Sequence, residues 1–247
     1  MELAEFFKIH NKIALAFSGG ADSAYLMYEA LKNRAELKAY YVNSAFQPRF
    51  ELEDARRLAS ELGAELEIIE ADVLSDENIR QNPPNRCYFC KQRIFTAIQE
   101  RAKVDGFTEI MDGTNASDDV NDRPGMKALR EMKVLSPLRE CGITKDELRR
   151  RSKEAGLFTW DKPSYACLAT RVPAGAEITA EMLRKTETVE DKLRALGLRD
   201  FRVRSDGKRA KLQVREEQLA FTLEKREEIL KILEAEYSEA VLDLRLR

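Results

Sequence analysis

The chain has 247 residues, enough for one or two domains with a full core, and its 42 Lys and Arg against 44 Asp and Glu leave a net charge of -2. Acids and bases are interspersed without a basic run or stripe, so a broad nucleic-acid surface is not expected. No apolar run approaches the roughly 18 residues of a membrane span, and the acidic start Met1-Glu2-Leu3-Ala4-Glu5 is not a signal peptide.

Cytoplasmic localisation is therefore expected, where cysteines more often serve metals or catalysis than disulfides. A single histidine, His10, argues against His-based catalysis and His-rich zinc sites, and is expected on the surface.

In chain order, Ile13-Ala14-Leu15-Ala16-Phe17 reads as a fully buried strand. The turn Ser18-Gly19-Gly20-Ala21-Asp22-Ser23 follows, then a helix over 24–31. The two glycines let the backbone approach a ligand and take positive φ. Free N–H groups and the dipole at the helix start favour an anion, so the turn is expected to cradle phosphate. It is neither a Walker loop nor a Rossmann fingerprint.

Strands are predicted at 37–42 and 64–69, with an amphipathic helix over 51–62 closed by Gly63. A helix over 94–103 and a short strand near 109–112 come next. This alternation predicts an α/β fold with a doubly wound parallel sheet. Ligands in such sheets sit at the carboxyl ends of the strands, the rim where Ser18, Gly113 and Asn115 fall.

From about Ile178 the pattern becomes that of a smaller C-terminal α+β domain. A helix over 179–196, strands at 201–204 and 210–214 joined by a hairpin turn at 205–208, one long helix over 216–236 and a closing strand over 240–246 are predicted. Domains are expected at 1–158 and 177–247, with an irregular link at 159–176.

Three clusters and an arginine pair carry chemistry. Asn82-Pro83-Pro84-Asn85-Arg86-Cys87-Tyr88-Phe89-Cys90 places a C-x-x-C pair at an exposed loop–helix junction. Such a pair binds metal, holds an iron–sulfur cluster or works as a redox dithiol. Cys167 lies in the link with Lys162 and Arg171 nearby in sequence, cations expected to lower its thiol pKa. Cys87, Cys90 and Cys167 form a three-point ligand set for a cubane cluster, with one iron left free of protein. Cys141 is read as structural.

The polar run from Gly113 to Asp119, with Asp122-Arg123-Pro124-Gly125, is a candidate wall for nucleotide or Mg²⁺. Arg202 and Arg204, two apart on a strand, share one face. They can grip a phosphate bidentately, or simply line a solvated face.

The turn at residues 18–23 resembles the PP-loop of the N-type ATP pyrophosphatases, enzymes that split ATP between the α and β phosphates. Taken together, the Ser18 to Ser23 turn, Asn82 to Cys90, Gly113-Thr114-Asn115, Asp122 to Gly125, Trp160-Asp161-Lys162-Pro163, Ala166 to Arg171 and Arg202-Val203-Arg204 resemble the LarE family of ATP-dependent sulfur transferases. These motifs span nearly the whole chain.

The resemblance implies adenylylation of pyridinium-3,5-biscarboxylic acid mononucleotide and replacement of carboxylate oxygen by sulfur, for a nickel-pincer cofactor. It implies that Ser18, Gly19, Gly20, Asp22, Ser23, Gly113 and Asn115 hold ATP with Mg²⁺, and that Arg202 and Arg204 hold the substrate phosphate, with Glu190 close by. Residues 1–158 would be the ATP pyrophosphatase domain and 177–247 the substrate-binding domain. It implies homo-oligomers and two sulfur sources, a 4Fe-4S cluster on Cys87, Cys90 and Cys167 or Cys167 as a sacrificial donor. The three cysteines favour the cluster. A tRNA thiolase is the rival enzyme, opposed by the net charge. A carrier with a decayed nucleotide site is the rival of a different class, opposed by the intact turn.

Overall fold

A computed structural model describes residues 1–119 and 124–245. In chain order these form α1 (Leu3–Ile9), β1 (Lys12–Ala16), α2 (Ala21–Lys32), β2 (Glu36–Asn43), α3 (Arg49–Leu62), β3 (Glu65–Glu70) and α4 (Glu77–Arg80). Next come α5 (Arg86–Val104), β4 (Ile110–Met111), α6 (Pro124–Glu131), α7 (Pro137–Glu140), α8 (Lys145–Glu154) and α9 (Ala180–Leu196). The chain closes with β5 (Arg202–Ser205), β6 (Arg209–Gln213), α10 (Leu219–Glu224), α11 (Arg226–Glu234) and β7 (Glu239–Leu242).

Two compact units result, and the division is not a single cut. The first holds Met1–Asp72 and Asn85–Lys162; the second holds Val73–Pro84 and the chain from Pro163 onward.

In the first unit four parallel strands run in the order β3-β2-β1-β4. Alternate strand residues face opposite sides of a sheet, and here both sides are covered. Ile13 and Leu15 of β1 with Leu37, Ala39 and Tyr41 of β2 pack against α1, α2 and α3 residues such as Phe6, Leu26 and Leu58. Ala14 of β1 with Tyr40 and Val42 of β2 pack against Phe95, Ile98 and Ala102 of α5. The doubly wound sheet expected from the sequence is therefore present. Burying a side chain such as Leu15, fully enclosed here, contributes about 1.5–3 kcal/mol. Because the order places β1 between β2 and β4, the carboxyl ends of β1 and β4 are neighbours, and such a switch point is where doubly wound sheets bind ligands.

Lys38 joins β2, β3 and the end of α5: its ammonium lies 2.7 Å from Asp105, 2.8 Å from Glu67 and 3.1 Å from Glu65. Burial opposes its charge, but the three carboxylates more than offset this and hold Lys38 well above its usual pKa. His10 is not a plain surface residue. It stacks on Phe6 and pairs with Glu109 at 2.9 Å.

Two helix starts differ from the sequence expectation. α2 begins at Ala21, directly on the glycine turn, because Gly20 in an extended conformation serves as its N-cap. α5 begins at Arg86, not at residue 94. Its buried apolar stripe starts only at Phe95, so the first turns carry no helical periodicity. Cys87 and Cys90 consequently lie on the first two turns of a 19-residue helix.

In the second unit β5 and β6 pair antiparallel and β6 and β7 parallel. Val189 and Leu193 of α9 and Ile229 and Leu233 of α11 pack with Val203, Ala210 and Leu212 of this sheet. Val73–Pro84 is tied in through backbone: Ile178 donates to the Arg80 carbonyl at 2.8 Å and Gly175 to that of Asn82 at 2.8 Å. The Asn82 amide donates to the Pro173 carbonyl at 2.8 Å.

The long helix expected over 216–236 is broken into a 3-10 turn, α10 and α11. Its buried stripe runs Thr222, Ile229, Leu233, but the intervening positions are Lys225 and Arg226, with no apolar group to carry it on. β7 stops at Leu242. Asp243 there binds the Gln213 amide and the Arg245 N–H, and Leu246 lies outside the described residues.

Candidate active site

The turn after β1 is held by its own hydroxyls. Ser23 Oγ lies 3.1 Å from Ser18 Oγ, accepts the Ser18 N–H at 3.3 Å and donates to the Gly20 carbonyl at 3.2 Å. The turn leaves the first N–H groups of α2 without a capping side chain, the arrangement that draws anions to helix starts. Gly19 has φ of +70°, and a Cβ there would stand 2.8 Å from the Glu51 carbonyl oxygen. Gly113, beyond β4, packs so closely on α2 that a Cβ would meet the Ser23 nitrogen at 2.9 Å.

These two strand ends converge on Asp22. Asn115 donates its amide to Asp22 Oδ1 at 3.3 Å, and Lys145 Nζ lies 2.6 Å from Asp22 Oδ2. Asn115 is itself fixed: its N–H donates to Asp118 Oδ2 at 3.0 Å and its side-chain oxygen accepts the Ser117 N–H at 2.8 Å. Beneath it the buried Asp112 accepts from the Thr114 hydroxyl at 2.6 Å and from the Ser136 hydroxyl at 2.8 Å. The structure thus brings Ser18, Gly19, Gly20, Asp22, Ser23, Gly113 and Asn115 together. Asp122 and Arg123 lie outside the described residues.

Lys162 supports the turn from outside, donating to the Gly19 carbonyl at 3.1 Å and pairing with Asp54 at 2.7 Å. It belongs to the first unit, whereas Cys167 belongs to the second. Arg171, the other expected activator, is fully buried and paired with Glu190: Nε to Oε1 at 2.9 Å and Nη2 to Oε2 at 3.0 Å. The carboxylate balances its charge.

In the second unit Cys167 is half-exposed and immediately precedes the 3-10 turn Leu168–Arg171. Its carbonyl accepts from the N–H and the hydroxyl of Thr170, both at 2.9 Å. Arg202 and Arg204 alternate with the buried Val203 and Ser205 on β5 and so share a face. Arg204 donates to Gln213 at 2.6 Å and to the Thr170 carbonyl at 3.0 Å. The Arg202 Nε is buried with no hydrogen-bond partner. Burial, then the positive charges of Arg171 and Arg204, push the Arg202 pKa down.

Cys87 is exposed and Cys90 half-exposed on the first two turns of α5, with the Arg86 guanidinium 3.8 Å from the Cys87 sulfur. None of the four cysteines is in a disulfide, and burial pushes the Cys141 thiol up. Among the described residues no three His, Cys, Asp or Glu side chains gather into a group able to hold a metal ion. No described helix is long and apolar enough to cross a membrane.

The model of the QueC queuosine biosynthesis family matches residues 12–82, which carry the glycine turn. An uncharacterized protein of Synechocystis sp. is 38% identical over 221 residues, 88% of this chain and 81% of that protein. The pyridinium-3,5-bisthiocarboxylic acid mononucleotide synthase of Lactiplantibacillus plantarum is 31% identical over 208 residues, 83% of this chain and 75% of the synthase. The chain belongs to the LarE family. It is an ATP-dependent sulfurtransferase built on a PP-loop.

The tRNA-specific 2-thiouridylase MnmA of Thermotoga sp. is 26% identical over 61% of this chain and 54% of the thiouridylase. Against this LarE-family background, Lys145 is the polar contact that motif reading missed. Its signal was a lysine at the first position of a helix capped by Thr144, where the helix dipole disfavours a cation.

Proposed function

We propose that this LarE-family enzyme converts pyridinium-3,5-biscarboxylic acid mononucleotide to its thiocarboxylate, at the expense of ATP. The observation that carries the ATP half is the convergence of the glycine turn, Asn115 and Lys145 on Asp22. The substrate is read from the synthase of L. plantarum.

A substrate carboxylate oxygen attacks the α-phosphorus of ATP, and the bond to the pyrophosphate oxygen breaks. The N–H groups at the start of α2 and Lys145 face the charge that develops on the phosphates. Ser18, Gly19, Gly20, Ser23 and Gly113 shape the cradle, and the Asp22 carboxylate suits Mg²⁺ carried in with ATP. A sulfur nucleophile then adds to the acyl carbon and AMP leaves with the carboxylate oxygen. Arg202, with its unpartnered Nε and Arg204 beside it, holds the substrate phosphate.

For the sulfur source we favour a 4Fe-4S cluster on Cys87, Cys90 and Cys167. Three thiols outside any disulfide, two of them one helical turn apart, suit that group in donor chemistry. When bound, it would supply a sulfide to the activated carbonyl. The alternative uses Cys167 itself: its thiolate displaces AMP to give a thioester. Loss of the Cys167 α-proton and cleavage of the Cβ–S bond then leave a thiocarboxylate and dehydroalanine. We place the enzyme in the cytoplasm as a homo-oligomer, a reducing setting suited to cysteines outside disulfides.

The test uses anaerobically purified protein with Mg-ATP and the biscarboxylic acid mononucleotide. Pyrophosphate, AMP and a product heavier by one oxygen-for-sulfur exchange are expected, with iron and acid-labile sulfide in the protein. Product without iron, accompanied by Cys167 losing its sulfur, selects the sacrificial route. No pyrophosphate sinks the whole reading. The likeness to MnmA favours tRNA as a second substrate; tRNA binding that weakens steeply with salt, together with thiolated tRNA product, would select it.

A further inference from the structure

Arg171 is the largest side chain among the described residues that is less than 2% exposed, and Glu190 opposite it is equally enclosed. The reaction above uses neither. Their contacts reach beyond each other. Arg171 Nη1 donates to the Ala166 carbonyl at 2.7 Å, the peptide oxygen immediately before Cys167, and to the Thr170 hydroxyl at 3.0 Å. That hydroxyl in turn binds the Cys167 carbonyl at 2.9 Å.

On the other side, Glu190 Oε1 accepts the N–H of Val203 at 2.9 Å, between Arg202 and Arg204. Glu190 Oε2 accepts from the Tyr165 hydroxyl at 2.5 Å, and the Tyr165 ring stacks with the Arg171 guanidinium at 4.4 Å. One buried ion pair therefore links the peptide that carries Cys167 to the strand that carries the arginine pair, all inside the second unit.

We propose that Arg171 and Glu190 are positioning residues that fix the Cys167 sulfur relative to the phosphate grip of Arg202 and Arg204, so that sulfur reaches the activated carbonyl before water does. A buried pair need not be there for stability, since well-packed apolar replacements are often neutral or better. An arginine fork fixes two peptides in one geometry as lysine cannot. The proposal rests on the functional reading above and is tested so that the two can fail separately.

Arg171→Met/Glu190→Met removes both charges together and leaves neither unpaired. Arg171→Lys keeps the charge but loses the fork, and carries the test should the double variant not fold. Pyrophosphate released per thiocarboxylate formed is the decisive readout. Adenylate that waits too long for sulfur is hydrolysed back to carboxylate and AMP, so this ratio is expected to rise at least tenfold in a folded variant. A ratio within twofold of the unsubstituted enzyme overturns the proposal and leaves the pair purely structural.

Should the unsubstituted enzyme release no pyrophosphate at all, the functional reading falls and the positioning role is read from thiol chemistry alone. Cys87→Ser/Cys90→Ser/Cys141→Ser protein, with Cys167 as sole thiol, is alkylated with iodoacetamide with and without the pair. Several-fold faster alkylation without it upholds the fixed geometry; a rate within twofold overturns it.

Discussion

Lys145 Nζ stands 2.6 Å from Asp22 Oδ2, joining the first turn of α8 to the first turn of α2 across 123 positions of sequence. Both side chains are about a quarter exposed, so the pair adds at most about 1 kcal/mol to stability. Asp22→Asn and Lys145→Met are each expected to lower pyrophosphate formation about 10²-fold, the scale of losing one preorganised electrostatic group. The melting temperature should barely move. A loss of activity that tracks a loss of fold would remove the pair from the site.

Gly19 and Gly113 exclude side chains for different reasons. Gly19→Ala meets both a left-handed backbone and the Glu51 carbonyl, whereas Gly113→Ala meets the Ser23 nitrogen. Urea unfolding is expected to show a cost of about 1–3 kcal/mol for Gly19→Ala and ATP affinity reduced in both. Gly175→Ala, at φ of +82° with nothing near its Cβ, should cost only the backbone strain of about 1–2 kcal/mol and leave ATP binding intact.

Arg202 and Arg204 should separate in experiment. Arg204 makes two hydrogen bonds inside its unit. Arg204→Ala is therefore expected to cost about 1–2 kcal/mol. Arg202→Ala removes a buried, charge-crowded Nε and should leave the ligand-free protein as stable as before or more so. Its KM for the mononucleotide should nonetheless rise at least tenfold. Thermal shifts with and without inorganic phosphate check this: phosphate should stabilise the unsubstituted protein and not Arg202→Ala.

Glu147 links stability to pH. Hydrogen bonds from Arg150 and then Arg151 hold its carboxyl down at about 2, against an ordinary 4.5. A carboxyl depressed in the folded state stabilises above its unfolded pKa, and that contribution is lost as pH falls through the folded value. The urea midpoint should therefore decline between about pH 4.5 and pH 2, and Glu147→Gln should flatten that part of the decline. Identical slopes would show that other carboxylates carry it.

Local patterns made much of this protein readable in advance. An unbroken apolar run, two glycines and a helix start already announced the phosphate turn, and Arg202 and Arg204 on alternate strand positions announced a shared face. What stayed hidden depends on contacts between distant segments. Nothing local to Lys145 says that it meets Asp22. Nor do Val73 and Ile79, both fully enclosed, carry any sign of which core they join. The polar first turns of α5 disguised a helix because their outward residues have no buried stripe to repeat. Nor is it local that Lys162 pairs with Asp54 and Arg171 with Glu190.

The excursion of Val73–Pro84 constrains how this protein can be made and dissected. A gene fragment beginning at Pro163 would lack Val73, Ile79 and the Arg80 and Asn82 carbonyls that receive Ile178 and Gly175. During synthesis those twelve residues leave the ribosome long before the rest of their unit, so the second core closes only when the last strands emerge, after the cysteine turn of α5 has already had its chance to fold.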